Sequence, residues 1–193
     1  MTRGLFGPGT IVLGGGAVLL VVLLAIGFFL PTEWEASAEL QIEAAPADLM
    51  TFLDSPEGWR VWTEWPDSGL TRTGPDRGTG ARIGWNDREL GSGSFTIGQI
   101  VDGSSVQYEV SVDGAANTVL STYGLITMLP AAGGTLVRWA EEGDLGSNPL
   151  MGYWARSMAK AQSVEMTKGL DRLSRAVHRV DEAPADSMST GGL

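Results

Sequence analysis

Residues 93–114, GSFTIGQIVDGSSVQYEVSVDG, decide the fold. Gly93–Val101 and Ser105–Val112 are short runs rich in apolar and β-branched side chains. The second alternates strictly, with Val106, Tyr108, Val110 and Val112 on one face. Asp102-Gly103 separates the runs and Asp113-Gly114 ends the second, and Asp-Gly pairs supply the positive-φ positions of tight hairpin turns. Similar runs lie on either side: Gly69–Thr73, Ala81–Trp85 up to Asn86-Asp87, Val119–Met128 up to Leu129-Pro130, and Thr135–Glu141 after Gly133-Gly134. Connections this short cannot hold crossover helices, so successive strands pair antiparallel in a six-stranded meander and not in βαβ units.

Upstream, Glu33–Glu43 (EWEASAELQIE) places Trp34, Ala36, Ala38, Leu40 and Ile42 on one face, the pattern of a half-buried strand. Ala45-Pro46-Ala47-Asp48 opens a short helix through Leu53. Asp54-Ser55-Pro56 caps a second one carrying Trp59 and Trp62. Downstream, residues 148–180 turn helical. Met166, Leu170, Leu173, Val177 and Val180 share a face, with Lys168, Arg172, Arg175 and Arg179 opposite. Trp154, Met158 and Ala161 fall about a third of a turn out of phase, which predicts a kink or break near Gln162–Glu165 and a weak point at Gly169. The tail, 181–193, has no apolar period and is expected to be disordered.

Residues 11–30, IVLGGGAVLLVVLLAIGFFL, carry no charge. As a helix they rise about 30 Å, the thickness of a bilayer's hydrocarbon core. This predicts a transmembrane helix over 11–30, stopped by Pro31, with Trp34 as an interfacial aromatic. A cleaved signal peptide is the alternative, but its apolar region runs about 7–15 residues. Cleavage at Ala36-Ser37-Ala38 would also cut through the strand that begins at Glu33. Arg3 leaves residues 1–10 in the cytoplasm and exports the domain, periplasmic in a bacterium.

The 193 residues carry a net charge of -10, which argues against a nucleic-acid surface. Without cysteine there is no disulfide, thiol nucleophile or zinc–cysteine site, and the single histidine, His178, rules out a histidine cluster. Gly91-Ser92-Gly93 leads into a strand, not a helix, so it is not a phosphate loop. No cofactor or metal is implied. Residues 151–180 hold six basic and two acidic side chains, from Arg156 and Lys160 to Arg179. That stripe is either a solvated helix face or a surface for anionic headgroups.

The order of strand, two small helices, meander and long helix is that of the helix-grip fold, an α+β arrangement. WRVWTEW (59–65), GTGARIGW (78–85), GSGSFTI (91–97), LPAAGGTLVRW (129–139) and KGLDRL (168–173) together resemble the SRPBCC superfamily. Those START-like, Bet v 1-like proteins are often labelled polyketide cyclase/dehydrase and lipid transport. The resemblance covers residues 33–180. It implies an antiparallel sheet wrapped around the C-terminal helix, with a cavity between them for a hydrophobic small molecule or lipid.

The strand phases turn Phe95, Ile97, Tyr108, Ile126, Met128, Trp139 and Glu141 inward. Trp62, Trp85, Met166 and Leu170 complete the expected lining. The tryptophans at 59, 62 and 65 stand where related folds lid the cavity mouth, so they either gate or contact a ligand there or pack the small helices on the sheet. If the strand continues that far, Glu141 shares the face of Trp139 and its carboxylate must pair or reach water; if the strand ends at Ala140, Glu141 sits in solvent beside Glu142. Three functions fit: a membrane-anchored binding domain, a cyclase/dehydrase-type enzyme using Glu141 and Tyr108, or a non-catalytic interaction or stress-response module with a filled interior.

Overall fold

In the computed structural model, the described residues are 8–66, 68–89, 91–114 and 118–181. Residues 1–7 and 182–193, including Arg3 and nearly all of the expected tail, lie outside them. Eleven elements follow in order: α1 (Pro8–Gly27), β1 (Glu33–Ile42), α2 (Pro46–Leu53), α3 (Pro56–Arg60), β2 (Thr71–Thr73), β3 (Arg82–Asp87), β4 (Gly91–Val101), β5 (Ser105–Asp113), β6 (Val119–Ala131), β7 (Gly134–Asp144) and α4 (Met151–Asp181). The strands form one antiparallel sheet in the order β1-β7-β6-β5-β4-β3-β2. The meander is therefore as the turns predict, and β1 joins it beside the last strand. β6 and β7 run past their expected ends to a turn at Ala132-Gly133, because Pro130 sits at the hairpin end, where little pairing is lost.

α2 and α3 begin on prolines whose missing N–H costs nothing there. Ser55 Oγ accepts from Gly58 N at 3.1 Å, capping α3. Leu49 and Leu53 of α2 and Trp59 of α3 are buried against the sheet.

α4 departs from expectation, since its 31 residues are uninterrupted. The phase change arises because Trp154 and Met158 do not face the core at all, being 64% and 40% exposed. The buried stripe instead runs Ala155, Met166, Leu170, Leu173 and Val177, with Ala159 and Gln162 completing its first half. That half presents small and polar residues to the sheet, and the second half presents large apolar ones.

α1 ends at Gly27, before Pro31, in a tightened turn closed by Phe29 N to Ile26 O at 2.9 Å. Tyr153 Oη donates to Leu23 O at 2.7 Å, so the end of α1 meets the start of α4. Among the described residues no helix is long and apolar enough to cross a membrane. Trp34, expected at an interface, is a core residue 6% exposed. The basic stripe also starts at this junction and leaves it, since Lys168 and Arg179 lie about 25 and 42 Å along the helix from Met151.

Candidate functional site

The site rests on three aligned positions. Tyr108 of β5 pairs with Gly124 of β6, and Gly124 pairs in turn with Glu141 of β7. Strands lie about 4.8 Å apart, so Tyr108 and Glu141 are separated by about 9.6 Å of sheet. A tyrosine spans that distance only by lying over the middle strand, and any Cβ at Gly124 would occupy the space of its ring. The same arrangement recurs where Trp85 lies over its partner Gly93 and Trp34 over its partner Gly143.

Laid across Gly124, the Tyr108 hydroxyl donates to Glu141 Oε1 and accepts from Trp139 Nε1 at 2.5 Å. From α4, Gln162 Nε2 donates to Glu141 Oε2 at 2.5 Å. The chain Trp139–Tyr108–Glu141–Gln162 thus points every donor toward the carboxylate. Glu141 is 7% exposed. Burial holds its pKa above the ordinary carboxyl value, although the hydrogen bonds from Tyr108 and Gln162 pull the other way. Burial and the neighbouring Glu141 push the Tyr108 phenol well above its usual value, so it stays protonated.

Beside this chain lies a cavity of about 350 Å³, between the Trp85–Val112 end of the sheet, the Trp59–Pro66 segment and Gln162. Trp59, Trp65, Trp85, Trp139 and Phe95 supply most of its wall, with Val110 and Val112. Trp65 meets Trp85 and Phe95 edge-on at 6.1 and 5.5 Å, and Trp59 meets Phe95 at 4.9 Å. These are separations at which aromatic pairs attract. Of the α4 residues, Gln162 lines this space. Beyond Gln162 the larger Met166, Leu170 and Leu173 fill the interior.

The expected lining therefore divides in two. Trp85, Phe95, Tyr108, Trp139 and Glu141 do line the cavity. Trp62, Ile97, Ile126, Met128, Met166 and Leu170 are at most 1% exposed and form the solid core instead. Trp62 is consequently not a lid, and its indole N–H is tied to Phe52 O at 3.3 Å. Gln162 was missed, because nothing in a helical period marks one polar residue on an inner face as a partner for a distant carboxylate. Of the tryptophan cluster, Trp59 and Trp65 stand in the cavity wall. A wider, more polar hollow of about 710 Å³ is lined by Glu35, Ser37, Gln107, Tyr123 and Glu142 and reaches Tyr108, Gly124 and Glu141 from the other side.

A long helix held against the inner face of a curved antiparallel sheet, with a cavity at one end, defines a helix-grip domain. The model of the polyketide cyclase/dehydrase and lipid transport family matches residues 33–178, and the chain belongs to that family, within the SRPBCC superfamily. No curated protein sequence matches. Among solved structures, protein MLL2253 from Mesorhizobium loti is similar at 16% identity and a TM-score of 0.54, over 76% of this chain and 98% of that one. Truncated norcoclaurine synthase from Thalictrum flavum is similar at 12% identity and a TM-score of 0.58, over 76% and 94%. Protein CV1439 from Chromobacterium violaceum gives 17% and 0.52, over 74% and 96%. At these identities the likeness is one of fold.

Proposed function

We propose that this domain binds a hydrophobic small molecule in the aromatic cavity above Glu141, held beside a membrane by its N-terminal helix. The observation that carries the reading is the cavity itself, walled by indoles and a phenyl ring with one polar chain at its base. That is the usual constitution of a small-molecule site, in which burial supplies affinity and a few polar atoms fix orientation. Its volume is near the lower end of the roughly 300–1,000 Å³ typical of such sites. It suits a compact molecule or the end of a single chain, not an entire two-chain lipid. Membrane attachment is supported by the uncharged run 11–30 and by the apolar side chains that α1 leaves open, with Val18, Leu19, Leu20 and Val21 each more than half exposed. In that arrangement the amino terminus is cytoplasmic and the domain extracytoplasmic. A domain held so close to a bilayer captures or senses a molecule locally and does not carry it far.

Mass spectrometry of extracts from the purified protein, with displacement of the neutral dye N-phenyl-1-naphthylamine, tests the binding. An apolar molecule released on denaturation, and one that displaces the dye, is the expected result. No such molecule and no dye binding would remove the reading. Partition of the full chain and of a chain lacking residues 1–30 between membrane and soluble fractions tests the attachment.

A second reading, a cyclase/dehydrase-type enzyme, is favoured by one observation. A buried carboxyl whose pKa burial raises, beside a phenol, is suited to giving up and taking back a proton. It predicts turnover whose pH profile is abolished by Glu141→Gln.

A further inference from the structure

We infer that the molecule this cavity takes is an organic cation, an apolar body bearing a protonated amine that docks on Glu141. The inference rests on the binding reading above and names the ligand class for the same cavity. It comes from counting what the walls can still offer. The indole N–H of Trp59 is bound to Leu53 O at 2.7 Å, that of Trp65 to Thr63 Oγ1 at 2.6 Å, and that of Trp139 to the Tyr108 hydroxyl. The Thr63 hydroxyl donates to Trp59 O at 2.7 Å, and the Tyr108 hydroxyl donates to Glu141. These donors are spent inside the protein, and what those rings turn to a ligand is π-face; the donors left in the wall are the Trp85 indole N–H and the second N–H of Gln162, both uncharged.

Acceptors, by contrast, remain. A carboxylate accepts about four hydrogen bonds, and Glu141 receives one on each oxygen from the protein. The ionisable groups in the wall are Glu64, Tyr108 and Glu141, with neither lysine nor arginine. Glu64, at the mouth, is met from outside the cavity by Arg172 at 3.4 Å. A ligand carboxylate or phosphate would find repulsion and few free donors. An ammonium would find an acceptor at the base and aromatic faces around it, which attract cations electrostatically, most strongly where water is excluded.

The test uses three molecules of one shape in an amine-free phosphate buffer: 3-phenylpropylammonium, its neutral counterpart butylbenzene, and the anion 4-phenylbutanoate. The full chain in detergent is titrated with each, and the lining tryptophans report binding by fluorescence. The expected result is a cation at least tenfold tighter than the neutral probe and at least a hundredfold tighter than the anion. Glu141→Gln is expected to cut the cation-to-neutral ratio at least tenfold. Trp65→Leu, at a half-buried wall position, is expected to lower the same ratio several-fold, so the conclusion does not depend on one variant. Equal binding of cation and neutral probe, or preference for the anion, overturns the inference while the cavity reading stands. Failure of all three, together with failure of N-phenyl-1-naphthylamine, overturns both.

Discussion

Gly169→Ala is a test in which chain propensity and tertiary packing predict opposite signs. Within a helix, glycine is less favourable than alanine by about 0.8–1.0 kcal/mol, so propensity alone predicts that the substitution stabilises. In the structure Gly169 faces inward, and a Cβ built there lies 2.7 Å from Trp139 Cζ3 and 3.5 Å from Trp62 Cζ3. Carbon atoms pack at about 3.5–4.0 Å, so the Trp139 indole must withdraw by about 1 Å. It is not free to do so, because its N–H is held by the Tyr108 hydroxyl at 2.5 Å and Trp62 stands edge-on against it at 5.2 Å. Overpacking costs about 1–3 kcal/mol. Stretching a buried hydrogen bond of this kind adds about 1 kcal/mol. Less the gain in propensity, the variant is expected to be destabilised by about 1–3 kcal/mol. Urea denaturation followed by tryptophan fluorescence and by far-ultraviolet circular dichroism measures this. A variant as stable as the parent, or more so, would refute the assignment of Gly169 as the seat of Trp139.

Four further substitutions probe the polar chain. Gly124→Ala places a methyl group in the Tyr108 ring, so the phenol must leave Glu141; the expected loss is about 2–5 kcal/mol. Combined with Tyr108→Ala the two losses are expected to be well short of additive in a double-mutant cycle. Tyr108→Phe keeps the ring but strips Trp139 Nε1 and Glu141 of their shared partner, at about 1–3 kcal/mol for each group left unsatisfied, read by thermal or urea melts. Glu141→Gln is read against pH. The folded protein holds the Glu141 proton more tightly than the unfolded chain does. That contribution to stability is therefore full below the unfolded carboxyl pKa and is lost as pH rises through the folded one. The parent-minus-variant difference is expected to fall over that window by at most about 1.4 kcal/mol per pH unit. Tyr108 stays neutral there and Gln162 does not titrate, so a flat or rising difference would contradict the burial of this carboxyl.

Much of this architecture is written in local chemistry. Asp102-Gly103 turns the chain after Val101, and the alternation of Val106, Tyr108 and Val110 sets the register of the neighbouring face. The same count turns Glu141 inward only because β7 continues past Ala140 to Asp144, which the sequence leaves open. What a period of two cannot tell is how far along the sheet a residue lies under the helix, and that distance separates wall from core. Ile97 and Phe95 share a face, yet Ile97 is fully buried while Phe95 borders the cavity. The large side chains of α4 were expected to seek the core, which set Trp154 and Met158 out of phase with Met166. The inner face there is made of Ala155, Ala159 and Gln162, and of these Gln162 reaches the cavity wall. Gly169 read as a weak point of the helix for a related reason. Its function lies in a partner thirty residues away, and no local pattern records that.

The place of β1 in the sheet bears on how the chain is made. Ile42 pairs with Thr135 and Glu33 with Asp144, so the first strand has no neighbour until the last has been synthesised. At ~5–20 residues per second, β1 waits about 5–20 s for β7, while β2 to β6 close by hairpins between adjacent segments. Glu33, Glu35 and Glu39, all on its exposed face, keep the waiting strand charged and poorly suited to pairing with other chains. Closing the sheet is thus a late, long-range step, in which the beginning and end of the domain must find one another before α4 can cover them.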